Sequence, residues 1–329
     1  MKYRKHEAKE YARGAFRGIW DSLSTPFTPG GEVDEAGIRR NMDHVIEGLR
    51  VDGHYCSGNV AEFWSLSTAE RKRVHEVFLE AAAGRIPMMA GVHDQSAGSA
   101  VEMARHAQDI GYDFVIILTP FIAARNDDAV AEYMTYVAER VDIGIVIFNS
   151  PGACHPIGPD LARRLAALPN VCGMKQADWN PHATILLEEA VGDQIVISVA
   201  EEAVWLHNMT QIGHRWLITY TPHTYQVPGW LPLKEYTELA FAGDLKRATE
   251  VSASLAPLRT ANTRWIMGPW GQGRMPVAAL KHWEGLIGMA GGPVRPPVLP
   301  LTREEKEDLR ADLKRAGLLA RAEAAAASK

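Results

Sequence analysis

Short runs of β-branched and apolar residues alternate with longer segments whose apolar positions recur every three or four residues. The rhythm holds from about residue 18 to residue 290. The first kind of run reads as a buried strand and the second as an amphipathic helix. The strand-like runs are GIWDSLSTPF (18–27), GHYCSGNV (53–60), IPMMAGV (86–92), FVIILTP (114–120), GIVIFNS (144–150), VCGMKQA (171–177), IVISVAE (195–201) and WLITYTP (216–222). Each is bounded by Gly, Pro, Asn or Ser, residues that end regular structure.

The intervening segments carry helix starts. Ser67 and Glu70 fit a capping box ahead of RKRVHEVFLEAAAG. Pro159 stands at a first helical position, and Asn180 with Pro181 reads as a cap followed by the first helical residue. Thr302 and Glu305 start a further helix.

Strand–helix alternation sustained eight times predicts a parallel sheet, and eight strands close a (β/α)8 TIM barrel. An open doubly wound sheet is the competing fold, weakened because no G-x-G-x-x-G follows the first strand. The expected organisation is an N-terminal extension (1–15), a barrel core (16–225), C-terminal helices packed on the barrel (226–318) and an Ala-rich tail (319–329) that is a frayed helix or disordered.

Composition narrows the functional classes. Apolar residues make up 47% of the chain and charged residues 23%, the balance of a globular protein with a large core. A net charge of −5 offers no basic footprint for nucleic acid and no polybasic face for a membrane. No apolar run approaches the roughly 20 residues that span a bilayer. The charged start MKYRKHEAKEYARG is unlike a signal peptide. Cys56, Cys154 and Cys172 are odd in number and far apart, which argues against a disulfide framework or a cysteine zinc site. A cytoplasmic enzyme acting on a small molecule is expected, without metal or cofactor.

In such a barrel the chemistry sits at the carboxyl ends of the strands. That rule selects Ser24 and Thr25; Ser57, Gly58, Asn59 and Glu62; His93 and Asp94; Thr119; Phe148 and Asn149; Lys175 and Asp178; Glu201 and Glu202; Tyr220 and His223. Ala200 and Ile218 join them at the ends of the last two strands. Lys175 is the most informative, because it closes an apolar run. A buried ammonium is costly unless it is paired or loses its proton. An ordinary lysine titrates near about 10.4, so only about one amine in 10³ is neutral at pH 7. Desolvation lowers that value, and a neutral amine condenses with a ketone or 2-oxo acid to give an iminium. The alternative is an ion pair with Glu201 or Glu202.

The order of motifs resembles the dihydrodipicolinate synthase and N-acetylneuraminate lyase family of class I, pyruvate-type aldolases. STPFTPGGEVDEAGIRRNMDHVI is similar to that family's opening strand and helix. SGNVAEFWSLSTAER resembles its G-T-T-G-E…L-T-x-E-R stretch, and GVHDQSAGSAVEMARHAQDIGYDFVIILTPF its third and fourth units. FNSPG stands where the family has Y-N-x-P, GMKQA where it has G-x-K, and GGPVRPPVLPLTREE resembles its C-terminal segment. The likeness covers roughly residues 17–318. It implies that Lys175 is the Schiff-base lysine of a lyase and that the chain forms dimers or tetramers.

Departures from the pattern matter equally. Asn59 and Val60 replace two hydroxyl residues that hold the substrate carboxylate, leaving Asn59 and the backbone amides near Gly58 as anion holders. Ala61 replaces a glycine, while Glu62 is retained. Phe148 stands in for the catalytic tyrosine and Ile122 for a proton-relaying one. A replacement acid is therefore expected from Tyr220, foremost, or from His155, Tyr55 or Asp178. Otherwise the reaction is less demanding, such as a retro-aldol step, decarboxylation or dehydration.

Nine tryptophans are many for this length, and most read as packing. Trp64 and Trp179 fall beside the expected site and suggest an aromatic or bulky apolar substrate, as in hydratase-aldolases. Three other classes stay open. A metal-dependent barrel hydrolase lacks any H-x-H or H-E-x-x-H pair. A cofactor-dependent oxidoreductase lacks a convincing phosphate loop. A non-catalytic binding protein on an aldolase scaffold would account for the lost hydroxyls.

Overall fold

The structure, a computed structural model, describes residues 1–178 and 180–327. Eight strands close into a barrel in chain order. They are β1 (Gly18–Asp21), β2 (Gly53–Cys56), β3 (Met88–Gly91), β4 (Phe114–Leu118), β5 (Gly144–Asn149), β6 (Val171–Gln176), β7 (Val196–Val199) and β8 (Trp216–Thr219). The paired strands run parallel. All eight runs read from the pattern form strands, so the expected (β/α)8 barrel is the fold. Among the described residues, no helix is long and apolar enough to cross a membrane.

The predicted helix starts form as read. Ser67 closes a capping box with Glu70 at the head of Thr68–Ala82, and Thr302 one with Glu305 at the head of Arg303–Arg315. Pro159 opens Pro159–Ala166, and the Asn180 side chain caps Pro181–Val191. The Ala-rich end continues as a helix, Leu318–Ala327.

All eight strands are shorter than their sequence runs, the first, second and eighth by three or more residues at the carboxyl end. The first ends at Asp21, and the second at Cys56, where Ser57 turns to φ 58° and Asn59–Ala61 forms a 3-10 turn. The eighth ends at Thr219, because Pro222 lies in the first turn of the helix Thr221–Tyr225.

Contacts divide the chain into two units. One comprises Met1–Gly18 and Pro87–Thr219, the other Ile19–Ile86 and everything from Tyr220 onward. In the first unit the N-terminal helix Ala8–Ala15 leads into Phe16, whose ring meets Phe114 of β4 at 4.4 Å and stacks on Trp216 of β8 at 4.0 Å. A Cβ added to Gly173 of β6 would meet the same ring at 2.9 Å. A ring that touches three non-neighbouring strands lies on the barrel axis. Tyr3 fastens the segment: its hydroxyl donates to Asp113 O at 2.5 Å and accepts from Gly144 N–H at 2.8 Å.

That contact also fixes which side chains point inward. Phe114 and Gly173 face the axis, so Leu118 and Lys175, at even steps along their strands, face it too. Register places Leu118 beside Phe148, Phe148 beside Lys175, and Lys175 beside Ser198. These four form one inward layer.

In the second unit a polar cluster is closed to solvent. His223 Nδ1 lies 2.8 Å from Asp21 Oδ1 and its Nε2 lies 3.2 Å from Glu284 Oε1. Ser24 Oγ donates to Glu284 Oε2 at 2.5 Å. Burial alone would lower the His223 pKa, but the two carboxylates overcome it and hold the ring up at about 10.

Candidate active site

Lys175 sits on β6, two residues beyond the glycine that admits Phe16. It is 8% exposed, enough to bury the amine while leaving an approach. Its Nζ lies 4.4 Å from the centroid of the Phe148 ring. Phe16 and Phe114 lie below it, and Trp216 lies two strands away in the same register; all three are buried. Desolvation by these surroundings pushes the amine down to about 7. Glu201, considered above as its ion partner, accepts the Ala203 N–H at 3.1 Å.

His93 follows β3 and is 1% exposed, with its ring 6.1 Å from that of Phe148. Its Nδ1 accepts the Leu118 N–H at 2.7 Å. An Nδ1 that accepts leaves the hydrogen on Nε2, so the ring is held as one neutral tautomer. Ser198 of β7 flanks Lys175 on the side opposite Phe148 and is fully buried. Ala200 follows two residues later and its N–H donates to Gln176 O at 3.1 Å. Ile218 is buried on β8, two residues from Trp216 and on the same face.

Asn149 departs from expectation. It pairs in register with Gln176, one step past Phe148 and Lys175, and so faces away from the axis. Its amide donates to Gln176 Oε1 at 2.7 Å and to Ile157 O, while its Oδ1 accepts the Ile157 N–H. It braces the loop after β5 instead of meeting a ligand.

The proposed replacement acids are also committed. Tyr220 is the residue after β8, not part of it, and its hydroxyl donates to Asn262 Oδ1 at 2.8 Å. Asp178 Oδ1 accepts the Asn180 N–H at 2.9 Å. His155 Nε2 lies 2.7 Å from Asp127 Oδ1. Tyr55 is buried, which pushes its phenol well above the usual range. Ile122 is 69% exposed, so its side chain contributes no wall. Trp179 lies outside the described residues.

In the second unit the segment after β2 is clamped. Gly58 packs so tightly that an added Cβ would lie 2.6 Å from the Tyr55 hydroxyl. Ser57, Asn59 and Val60 are all buried. Ala61 O accepts from Thr25 Oγ1 at 2.8 Å. Glu62 adopts φ 54° and is held from several sides. Lys281 Nζ lies 2.5 Å from its Oε1, Arg295 N–H donates to its Oε2 at 3.0 Å, and Ser65 Oγ donates to its carbonyl at 2.9 Å. Lys281 also donates to Pro293 O and lies 3.9 Å from the Phe27 ring centroid. Among the described residues, no three His, Cys, Asp or Glu side chains stand in an arrangement that would hold a metal ion.

Sequence reading missed Ser198 and Lys281. For Ser198 the signal was a hydroxyl in the β-branched run IVISV, and for Lys281 a cation in the apolar stretch AALKHW.

The closed parallel (β/α)8 barrel carries a desolvated lysine on its sixth strand, and its family makes the chain a lyase of the aldolase type. The chain is a member of the dihydrodipicolinate synthetase family, whose model matches residues 15–316. It is similar to the 4-hydroxy-tetrahydrodipicolinate synthase of Methanospirillum hungatei JF-1, at 28% identity over 303 residues, 91% of this chain and 99% of that one. The enzyme of the same name from Methanopyrus kandleri is 29% identical over 309 residues, 92% of this chain and 97% of the other. The crystal structure of dihydrodipicolinate synthase from Aquifex aeolicus superposes with a TM-score of 0.80 at 26% identity, covering 92% and 99% of the two chains. YagE, a prophage protein of the same family from E. coli K12 solved in complex with pyruvate, gives 0.83 at 21% identity over 92% and 99%, a likeness of fold.

Proposed function

We propose that the protein captures a 2-oxo acid as a Schiff base on Lys175 and cleaves or forms the carbon–carbon bond next to the activated carbon. The observation that carries this reading is the lysine itself, inward-facing, against Phe148 and titrating near about 7. About half of such amines are neutral at pH 7, against about one in 10³ for an ordinary lysine. The neutral amine attacks the carbonyl carbon, water leaves, and the iminium withdraws electrons from the adjacent carbon. A retro-aldol step then releases an aldehyde and leaves an enamine. Protonation of the enamine and hydrolysis of the iminium return the amine.

Membership of the family, one of whose proteins, YagE, was solved in complex with pyruvate, supports a 2-oxo acid as one partner. The other partner carries an aromatic or bulky apolar group in this reading. The reason is chemical: Phe148 presents carbon beside the amine where a hydroxyl is expected, so that wall favours a substrate that brings fewer polar atoms. Decarboxylation or dehydration through the same iminium is the second reading, favoured by the absence of a hydroxyl at Phe148. Self-association into dimers or tetramers belongs to the proposal and is checked by light scattering.

The test is intact mass after borohydride reduction, with pyruvate and separately with an aromatic 2-oxo acid. A mass increase equal to the reduced adduct, lost in Lys175→Ala, is the expected result. An adduct that survives Lys175→Ala, or its absence from the wild type with both acids, rejects the reading.

A further inference from the structure

We propose that Ser198 is the catalytic hydroxyl that moves protons between the lysine nitrogen and the substrate oxygen, an inference that rests on Lys175 being the Schiff-base nucleophile. Lys175 has two register neighbours in its layer, Phe148 on β5 and Ser198 on β7. The first stands where the resembled family carries a tyrosine, and here it has no exchangeable proton. The second is an oxygen on the opposite flank. Neighbouring strands lie about 4.8 Å apart, so a hydroxyl on the adjacent strand and facing the same way stands beside the path of the adduct.

The hydroxyl is placed as though for a partner that comes and goes. Ser198 is fully buried, and its Oγ finds no hydrogen-bond partner among the described residues. Buried polar atoms are nearly always satisfied, and leaving one unpaired disfavours the fold. An alanine would avoid that cost at the same position. Trp216 beside it in register on β8, Gly173 diagonally below on β6 and Ile218 above show that the inward face of this part of the barrel is otherwise apolar or bare.

The chemistry of imine formation needs such a group. When the amine adds to the carbonyl carbon, the C=O π bond breaks, nitrogen becomes cationic and oxygen becomes an alkoxide. One proton must pass from nitrogen to oxygen to give the carbinolamine. A serine hydroxyl accomplishes this without net change, donating its own proton to the alkoxide while accepting one from nitrogen. A second proton, drawn from water through the same hydroxyl, lets oxygen leave as water while nitrogen keeps its hydrogen, so the C=N bond forms as an iminium cation and hydroxide balances the charge. Hydrolysis reverses both steps. Positioned proton transfer of this kind is worth about 10²–10⁴ in rate.

The experiment is rapid-quench borohydride trapping on the full-length protein with pyruvate, comparing wild type, Ser198→Ala and Ser198→Thr. The expected result is that Ser198→Ala forms the adduct about 10²-fold more slowly. Its final extent at saturating pyruvate is unchanged, and its melting temperature is equal or higher, because no native hydrogen bond is lost. Ser198→Thr, which keeps the hydroxyl, recovers most of the rate. Adduct formation by Ser198→Ala at the wild-type rate overturns the inference while leaving Lys175 in place. A stability loss in Ser198→Ala that parallels the rate loss, without rescue by threonine, also overturns it by assigning the residue to packing. No adduct in the wild type overturns the reading of Lys175 and this inference together.

Discussion

Nζ of Lys281 lies 2.5 Å from Oε1 of Glu62, and both side chains are shut away from solvent. Glu62 takes a left-handed backbone conformation immediately after the turn that carries Asn59 and Val60. The ion pair therefore holds a conformation that a non-glycine residue does not adopt readily. Removing one partner leaves the other charge buried. Lys281→Met or Glu62→Leu alone is expected to cost about 3–5 kcal/mol in urea unfolding, and the double variant to recover part of it.

The pH dependence follows from the lysine. Its amine titrates near about 7, so the rate of adduct formation should rise with pH through that value and level off above about pH 8. Stability follows the same group with a definite sign. The folded protein holds the proton less tightly than the unfolded chain, so the penalty is full below about 7 and fades as pH approaches about 10.4. Lys175→Met is expected to melt higher than wild type at pH 6, by more than about 1.4 kcal/mol, with the gain shrinking by pH 10.

Phe148 covers the amine, and its removal should be felt as water. In Phe148→Ala the midpoint of the adduct-formation profile is expected to climb from about 7 toward the ordinary lysine value, by about one pH unit or more. A midpoint that stays put in a trapping assay across pH 5–10 would assign the desolvation to other groups.

His223 contributes in the opposite direction. Its folded pKa of about 10 lies above the unfolded value near about 6.5. Its stabilisation is therefore full below about 6.5 and is lost as pH rises through about 10. His223→Gln strips the cation from between Asp21 and Glu284 and is expected to cost about 3–5 kcal/mol at pH 6 and less at pH 10, by denaturant titration.

The strands were legible because eight β-branched runs are punctuated by turn formers, and Lys175 stood out as a charge that ends such a run. Strand ends were less so. Ser57 and the Tyr220–Pro222 segment continue the apolar pattern, but a left-handed residue and a proline stop the ladder. Asn149 was misplaced because consecutive strand residues face opposite ways, so with Phe148 turned inward Asn149 turns outward. Tyr220 was placed as an acid from its position alone, whereas its proton goes to Asn262, distant in sequence. Ser198 and Lys281 gain meaning only from neighbours that the fold brings to them.

The aromatic stack of Phe16 on Trp216 gives the far end of the first unit a say in the nucleophile's acidity. Those rings form a dry floor, so the amine above them cannot recover solvation from that direction. The basicity of the Lys175 nitrogen is thus set in part by a ring from the N-terminal segment. Trimming Phe16 to alanine would moisten that floor and shift the working pH upward, which makes the amino terminus a dial for engineering the enzyme's operating range without altering any group that handles the reactants.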